Sequence, residues 1–421
     1  MRSSPFPSPP ILRSVADCLR LTSGSIMNDW CIIGVQHLLG TTGSLIQEIL
    51  YLGAEPSNIY LLGKHYSTNQ DVLHELLRLG INVRVNRTVG KWGDFSKEFD
   101  TYVKQLWRDV RVAVGHDRKK GILILDDGGH CIASVPESLL GCLPIAGVEQ
   151  TTSGVTRIGE APSIPVVAVA LSAAKSRIES PLISETVIKK MKEVIPPRRM
   201  RAGVIGLGNI GLAIASALLS RGDQVFGYDL NMVPVHGIAM CRNVGDLIAK
   251  SDFIFGCTGE DATGISWIDE VMGTKVFLSC SSEDREFRSL LTWLYRRMPS
   301  ENRSSTDRIE VRLPRATIQL LRGGFPVNFD LTDESVPLKD IQVTRSLLLG
   351  GLAQASMASG SPGYIKLDSR LQRLVVQEWI EQFPERRSTY GNSVIDQFSD
   401  LKWISEHSGG GESSGVTHSL F

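Results

Sequence analysis

The sequence predicts an α/β protein with two doubly wound parallel-sheet domains. Short apolar runs alternate with helical patterns along most of the 421 residues, and this alternation is typical of parallel sheets with helices on both faces. The prolines of "IPPRR" at 195–199 interrupt a helical pattern and indicate a domain boundary. A glycine-rich turn follows and opens a second series of strands and helices. A chain of this length can form two domains, each with its own core.

The first domain is predicted from four apolar runs that are typical of buried strands. These runs are "CIIGV", "NIYLLG", "INVRV" and "GILILDD", at 31–35, 58–63, 81–85 and 121–127. Helical patterns lie between them, and a last helix is expected over about 172–194. Strands that alternate with helices in this way form a parallel sheet.

The second domain begins with the pattern G-x-G-x-x-G, formed by Gly206, Gly208 and Gly211. The first glycine permits a tight turn after the strand at 202–205, and the second lets a phosphate approach bare backbone. The third lets the following helix pack closely on the strand. The helix expected over 209–221 directs the free N–H groups of its first turn at the phosphate. This order of elements predicts a Rossmann domain with a dinucleotide site.

Asp229 ends the next strand, 224–228, eighteen positions after Gly211. A carboxylate at that point accepts hydrogen bonds from the adenosine ribose of NAD and repels a 2′-phosphate, so NAD rather than NADP is the predicted cofactor. The predicted cofactor-binding residues of this unit are Gly206, Gly208, Asn209, Ile210, Gly211 and Asp229. The alternative is a structural glycine turn in another α/β fold.

The rest of the chain is assigned from the same patterns. Residues 1–27 lack the apolar core of a signal peptide and are expected to be a disordered leader. Two late helices are too little for a third domain and are expected to pack back on the first. The predicted boundaries are 28–195 for a nucleoside-type substrate domain, 196–335 for the NAD domain, 336–385 for the returning helices and 386–421 for a mostly disordered tail.

Composition excludes several classes of protein. Lys+Arg and Asp+Glu both number 45, so the zero net charge argues against a nucleic-acid binder or an anionic-membrane binder. No apolar run is long enough to span a bilayer. The seven cysteines are scattered without a C-x-x-C pair, which predicts reduced thiols in a cytoplasmic protein and no metal site.

Three segments of the first domain have the character of a ligand site. In "LILDDGGH" at 123–130, Asp126 and Asp127 follow a buried strand, where open α/β sheets bind their ligands, although such an acid also caps a following helix. The loop "GVEQTTSGV" at 147–155 offers several hydrogen bonds to a ribose or phosphate, or is an ordinary polar turn. In "AAKSRIES", Lys175 and Glu179 share one helix face, as in a simple surface ion pair.

Taken in order before the glycine turn, these segments resemble the S-adenosylhomocysteine hydrolase family over roughly residues 30–360. The family motif "LDDGGD" is similar to "LDDGGH" here, "EETTTG" to "EQTTSG", and "TKSKFDN" to "AKSRIES". The family's "GYGDVGKG" corresponds to "GLGNIGLA". The "LGAE" at 52–55 and the "TG" of "FGCTG" also match.

The resemblance implies tightly bound NAD that transiently oxidises the 3′-hydroxyl of a substrate ribose before the hydride returns. By the same resemblance, the catalytic residues are Asp127, Lys175 and Glu179, and the substrate-binding residues are Gln150 and Ser180. It further implies that NAD is contacted by Thr151, Thr152, Ser153, Thr258 and Gly259. The resemblance also implies that Lys175 relays the proton of the hydroxyl.

The departures from the family pattern lie in the acid–base residues. Gln150 replaces a ribose-binding glutamate, and Ser180 replaces an asparagine. Ser282 stands where the family motif "GHFDNE" has a histidine, and no histidine occurs between His236 and His407. The resemblance also implies an elimination or addition at C5′ of the oxidised ribose, and that step lacks its usual proton carriers here. The loss is on the order of 10²–10⁴-fold for one such group. Efficient S-adenosylhomocysteine hydrolysis is not expected, whereas the redox half-reaction can survive.

Two alternatives stay open from the sequence. One is a non-catalytic descendant of the family that binds NAD or another nucleotide, in effect a pseudoenzyme. The other is a D-2-hydroxyacid dehydrogenase, whose fingerprint "GVIGLGNIG" fits well, although that family places its acid–base histidine after the fingerprint. A nucleoside-like small molecule is the expected ligand. A homo-oligomer stays open because the tail that completes the family's tetramers is not recognisable here.

Overall fold

A computed structural model describes residues 6–86, 95–116, 121–191, 199–231, 234–297, 308–329, 331–332, 334–358 and 361–386. The chain forms two compact units, each built on its own sheet. Unit 1 comprises Met1–Asn86, Asp100–Glu179 and Pro337–Phe421. Unit 2 comprises Arg87–Phe99 and Ser180–Val336.

The regular elements alternate along the chain as the sequence predicts. The strands are β1 Trp30–Gln36, β2 Ile59–Gly63, β3 Asn82–Val85, β4 Gly121–Asp126, β5 Ile145–Glu149, β6 Pro165–Ala168, β7 Arg201–Ile205, β8 Gln224–Tyr228, β9 Ala239–Met240, β10 Phe253–Gly256, β11 Gly273–Ser279, β12 Ile309–Arg312, β13 Ala316–Leu320 and β14 Gly363–Ile365. The α-helices are α1 Pro10–Ser23, α2 Gly40–Tyr51, α3 Gln70–Arg78, α4 Phe95–His116, α5 Thr152–Ile158, α6 Ala173–Lys190, α7 Asn209–Ser220, α8 Val244–Lys250, α9 Arg288–Arg297, α10 Leu338–Ser356 and α11 Ser369–Gln382.

Unit 1 contains a seven-stranded sheet in the order β14-β6-β5-β4-β1-β2-β3, with every neighbouring pair parallel. The central strands are apolar at successive positions because helices cover both faces, and all six residues of β4 are buried. The parallel direction brings the carboxyl ends of all these strands to one edge.

Unit 2 contains a second seven-stranded sheet, in the order β12-β13-β11-β10-β7-β8-β9. Its pairs are parallel except for β12 and β13, which form an antiparallel pair at one side. The predicted class, two parallel-sheet α/β domains, is therefore confirmed. The glycine turn lies at the carboxyl end of β7, in the middle of this sheet.

The expectation of a disordered leader over 1–27 is wrong for the described part of that segment. Helix α1 forms there, with its N1 position supplied by Pro10 and its end at Gly24, which has a φ of 69°. Ile11, Val15 and Leu19 are spaced four apart and are buried against α2, α10 and α11. Burial of this apolar stripe orders the segment.

The two late helices pack on unit 1, as expected. Helix α10 contacts α1, α2 and β5, and it is buried on nearly every side. Helix α11 packs on α10, where the Trp379 indole donates a hydrogen bond to the Lys339 carbonyl at 2.8 Å. The tail expected to be disordered, from residue 387 onward, lies outside the described residues. No helix in the described parts of the chain is long and apolar enough to cross a membrane.

The docking of α1 gives a stability prediction. We expect Leu12→Ala to lower the free energy of unfolding by about 2–5 kcal/mol, because Leu12 is fully buried and its loss leaves a cavity. The matched control is Leu21→Ala on the same helix, where the side chain is 87% exposed and the change should stay within about 0.5 kcal/mol. Urea unfolding of both variants measures the difference, and equal midpoints would show that α1 does not dock.

Candidate functional site

The polar residues of unit 1 gather where its central strands end. Lys64 follows β2, His37 follows β1, Asp127 follows β4 and Gln150 follows β5. These strands are neighbours in the order β5-β4-β1-β2, and their parallel register carries the four residues to one edge. Open α/β sheets bind their ligands at that edge.

A buried ion pair lies at the centre of this edge. The Lys64 ammonium donates to Asp127 Oδ1 at 2.8 Å, and His37 Nε2 lies 3.4 Å from the same oxygen. All three side chains are at most one-tenth exposed. Burial alone raises the pKa of the Asp127 carboxyl, but the charge of Lys64 and the hydrogen bonds from Lys64 and His37 outweigh burial and hold that pKa well below its ordinary value. Asp127 is therefore an anion fixed in position.

The other side of the His37 ring contacts a hydroxyl group. His37 Nδ1 lies 2.5 Å from Ser67 Oγ, and the Thr42 hydroxyl donates to the His37 carbonyl at 2.7 Å. Burial lowers the pKa of His37 and Lys64 lowers it further, against the raising effect of Asp127. Because a carboxylate only accepts, the hydrogen-bond pattern places the proton of the neutral ring on Nε2 and leaves Nδ1 to accept from Ser67.

The two aspartates of "LDDGGH" have different roles. Asp126 Oδ2 accepts from the backbone N–H groups of Cys131 and Ile132 at 2.7 and 3.0 Å, so Asp126 caps the turn that follows. Asp127 points into the polar cluster instead. Both described contacts of Asp127 use Oδ1, and Oδ2 is outside the ion pair. Of the two residues named from the sequence, Asp127 is the one that can contact a ligand.

Gln150 lies beside Asp127 and offers a second acceptor. Its backbone N–H donates to the Asp126 carbonyl at 3.0 Å, which continues the pairing of β4 and β5 by one residue. Its Oε1 atom is buried and has no hydrogen-bond partner in the described part of the chain. A buried acceptor without a partner is costly, so this atom is poised to accept from a bound group.

The predicted threonine loop is held from beneath by a carboxylate that the sequence reasoning missed. Glu149, the last residue of β5, accepts from the Thr151 N–H and hydroxyl, both at 2.7 Å. It also accepts from the N–H groups of Gly128 and Gly129 at 3.1 and 2.9 Å. Thr151 in turn caps α5 through the Gly154 N–H. The sequence signal that could have identified Glu149 is its position as the polar last residue of a buried strand.

Thr152 and Ser153 form the first turn of α5. Thr152 is exposed, and the Ser153 hydroxyl donates to Thr151 Oγ1 at 3.2 Å. The hydroxyl groups of this loop thus serve to cap the N-terminus of α5. Contact between Thr151, Thr152 or Ser153 and NAD stays a prediction.

Lys175 and Glu179 form the expected ion pair one turn apart on α6. Both side chains are only 12–15% exposed, and the Thr344 hydroxyl of α10 donates to Glu179 Oε1 at 3.3 Å. The alternative for Lys175 and Glu179 was a simple ion pair on the helix surface, and their side chains are more buried than that alternative predicts. The side chain of Ser180, the other predicted residue of this segment, lies outside the described residues.

The glycine turn of unit 2 has the geometry that its spacing predicts. Gly206 adopts a φ of 86°, which favours glycine. A Cβ atom on Gly211 would lie 1.8 Å from the Gly206 carbonyl oxygen, so only glycine permits this packing. Gly208 has no atom within 4 Å of its Cβ position and lies exposed with Asn209 at the start of α7, next to Ile210. Backbone is therefore open to a phosphate at the helix N-terminus.

Asp229 lies against this turn. Its Oδ2 accepts from the Leu207 N–H at 2.7 Å, and its Oδ1 accepts from the Asn231 N–H at 2.9 Å. Each carboxylate oxygen has a second lone pair, and the side chain is partly exposed. The carboxylate is thus oriented beside the open end of α7, as a ribose-binding group requires.

Thr258 and Gly259 are engaged by a buried carboxylate, Glu286, which sequence reasoning also missed. Glu286 accepts from the Thr258 N–H and hydroxyl, from the Gly259 N–H at 2.7 Å and from the Ser281 hydroxyl at 2.6 Å. Burial raises the pKa of Glu286 against these hydrogen bonds. Both backbone N–H groups are therefore already donated, and contact between NAD and Thr258 or Gly259 stays a prediction.

Comparison with known proteins leaves the family open. No family model matches the chain. Two curated relatives, the uncharacterized proteins MT0113 and Rv0104 of Mycobacterium tuberculosis strains CDC 1551 and H37Rv, are 29% identical over 338 residues, or 78% of this chain. The chain spans 64% of the length of these relatives.

Solved structures with a similar chain course include oxidoreductases. A 2-hydroxyacid dehydrogenase from Ketogulonicigenium vulgare is 14% identical with a TM-score of 0.36, covering 79% of this chain and 98% of its own. A dipicolinate synthase chain from Bacillus halodurans is 11% identical with a TM-score of 0.44, covering 78% and 99%. Likenesses this remote assign no activity to the protein.

The buried ion pair gives a prediction for stability. We expect Lys64→Met to lower the free energy of unfolding by about 3–5 kcal/mol, because Asp127 is left charged and buried without its cation. Adding Asp127→Asn should restore much of that loss. The control is Arg78→Met in the exposed pair with Glu75, where little change in stability is expected because solvent screens the pair. Chemical denaturation measures all variants, and an additive double mutant would contradict the pairing.

The pH dependence of stability tests Glu149. Burial and the charge of Asp126 raise its pKa to about 8 from an ordinary 4.5. The folded chain thus holds a proton that the unfolded chain releases, so this group's stabilisation is complete below pH 4.5 and is lost as the pH rises to about 8. We expect the stability difference between wild type and Glu149→Gln, from thermal unfolding at several pH values, to shrink over that window. If the stability difference between the two proteins stays constant with pH, the pKa of Glu149 is not raised.

Proposed function

We propose that the chain is an NAD-binding protein that accepts a nucleoside or other ribosyl ligand at the edge of unit 1 and oxidises it transiently at the 3′-hydroxyl. The observation that carries the ligand class is the pair of acceptors Asp127 Oδ2 and Gln150 Oε1. They follow adjacent parallel strands at corresponding positions, since Asp126 pairs with Glu149. A ribose cis-diol supplies two neighbouring hydroxyl donors, one for each acceptor.

The ion pair at this sheet edge favours a ligand that is neutral and rich in hydroxyl groups where it binds. Lys64 already neutralises Asp127 through Oδ1, so the ligand need not bring a cation. The ion pair also fixes the carboxylate, which lowers the entropy lost when a ligand binds. Asp127 is thus proposed to bind and orient the ribose rather than to transfer a proton.

Lys175 and Glu179 are proposed to handle the hydroxyl proton. NAD, when bound, supplies a hydride acceptor. Lys175 takes up the proton of the 3′-hydroxyl as the C3′–H bond breaks and passes one of its own protons to the Glu179 carboxylate with which it is paired. The Thr344 hydrogen bond keeps Glu179 directed at Lys175. This division of roles is similar to the one that the family resemblance implies.

NAD itself is proposed to bind unit 2 at the glycine turn. The open backbone at Gly208 and the N-terminus of α7 suit the pyrophosphate, and the oriented Asp229 carboxylate suits the adenosine ribose. The same carboxylate repels a 2′-phosphate, which favours NAD over NADP.

Transient reduction of bound NAD tests the proposal. The purified protein, loaded with NAD, is titrated with adenosine while the absorbance of the NADH band is followed. We expect the band to appear with wild type and to be lost in Lys175→Ala, because the proton acceptor is missing. Lys189→Ala, an exposed lysine on the same helix, is the control and should keep the signal.

The other outcomes separate the alternatives. NAD that stays oxidised with every nucleoside contradicts the redox proposal and favours a binding protein. Net oxidation of NADH by an added 2-keto acid would instead identify a hydroxyacid dehydrogenase.

A further inference from the structure

Two free cysteines follow neighbouring strands of unit 2 at corresponding positions. Gly256 of β10 pairs with Ser279 of β11, and the next residue on each strand is Cys257 and Cys280. The pairing continues through the Cys280 N–H, which donates to the Gly256 carbonyl at 2.9 Å. The two cysteines are therefore side by side at the carboxyl edge of the sheet.

This placement satisfies the Cα-distance condition for a disulfide. Neighbouring strands lie about 4.8 Å apart, within the range of roughly 4.4–6.8 Å that disulfides span between Cα atoms. Corresponding positions of parallel strands direct their side chains to the same face. Bridging the two thiols requires side-chain rotation rather than a large backbone movement.

We propose that Cys257 and Cys280 form an oxidisable dithiol whose co-substrate is a low-molecular-weight disulfide. The Cys257 thiolate attacks one sulfur of R–S–S–R and expels R–S⁻, which gives a mixed disulfide. The Cys280 thiolate then attacks Cys257 Sγ and expels the second R–S⁻. The dithiol loses two electrons, the co-substrate gains them, and the two thiol protons leave with the two released thiols.

The exposure of the two cysteines determines which one reacts first, and the pKa of the Cys257 thiol determines how fast the exchange proceeds. Cys257 is partly exposed whereas Cys280 is 5% exposed, so Cys257 meets the co-substrate first. The hydrogen bond with Cys280 and burial raise the pKa of the Cys257 thiol well above its ordinary value. Exchange is therefore slow at neutral pH and accelerates as the pH is raised, because the thiolate is the nucleophile.

The dithiol lies directly behind the glycine turn. A Cβ atom on Gly206 would lie 2.9 Å from the Cys257 carbonyl carbon, and one on Gly211 would lie 3.4 Å from Cys257 Cβ. A bridge that shifts Cys257 consequently displaces the turn. This consequence rests on the proposed NAD binding, and the expected effect is a roughly tenfold weaker affinity for NAD, about the loss of one hydrogen bond.

Thiol mapping of the full chain tests the dithiol. The protein is incubated with oxidised glutathione at mildly alkaline pH, free thiols are alkylated with iodoacetamide, and the digest is analysed by mass spectrometry. We expect a peptide pair linked through Cys257 and Cys280, which is absent from Cys257→Ser. In Cys280→Ser, Cys257 should stay as the glutathione mixed disulfide. Cys142→Ser, at an exposed cysteine, is the control and should leave the linked pair unchanged.

The remaining outcomes are decisive in different ways. Alkylation of both Cys257 and Cys280 in protein whose Cys142 has become glutathionylated would overturn the proposal. A linked pair with unchanged NAD affinity would overturn the coupling to the turn. A linked pair in protein that binds no NAD in either state would refute the proposed function and leave the dithiol intact.

Discussion

The parallel register of the central strands is the constraint on which both proposed sites depend. Strands that run in one direction and pair in register must end at one edge, so any polar residue placed just after a strand meets its neighbours there. In unit 1 this constraint brings together Lys64, His37 and Asp127 from three separate stretches of chain. In unit 2 it places Cys257 behind the Gly206 turn. Sites of this kind are supported by backbone hydrogen bonds and not by loop packing.

Buried acidic side chains lie beneath both edges, and each has different partners. Asp127 is paired with a cation, Asp126 accepts from two backbone N–H groups, and Glu149 and Glu286 each collect four or more donated hydrogen bonds from adjacent loops. An uncompensated carboxylate at these positions would be strongly destabilising. The loops that carry the predicted ligand contacts are thus shaped by acids that lie beneath them. This explains why Thr151 and Thr258 have structural partners as well as predicted functional ones.

Much of the fold could be predicted from the sequence because its signals are local. Strand and helix alternation, the glycine spacing and the terminal Asp229 all act within a few residues or one βαβ unit. The partner of Asp127 could not be predicted, because Lys64 lies 63 positions earlier and meets it only through sheet order. Glu286 was missed for the same reason, at 28 positions from Thr258. Helix α1 is not predicted, although Ile11, Val15 and Leu19 have a four-residue spacing, because the helices that cover this stripe lie far away along the chain.

The central claim is that the glycine turn and Asp229 form an NAD site, and calorimetric titration of nucleotide-free protein tests it most directly. We expect NAD to bind more tightly than NADP, because Asp229 accepts from the ribose hydroxyls and repels a 2′-phosphate. Asp229→Asn keeps an acceptor for the Leu207 N–H but loses the negative charge. It should therefore narrow the difference in affinity between NAD and NADP. If neither nucleotide releases or absorbs heat with the wild-type protein, the glycine turn and Asp229 do not form an NAD site.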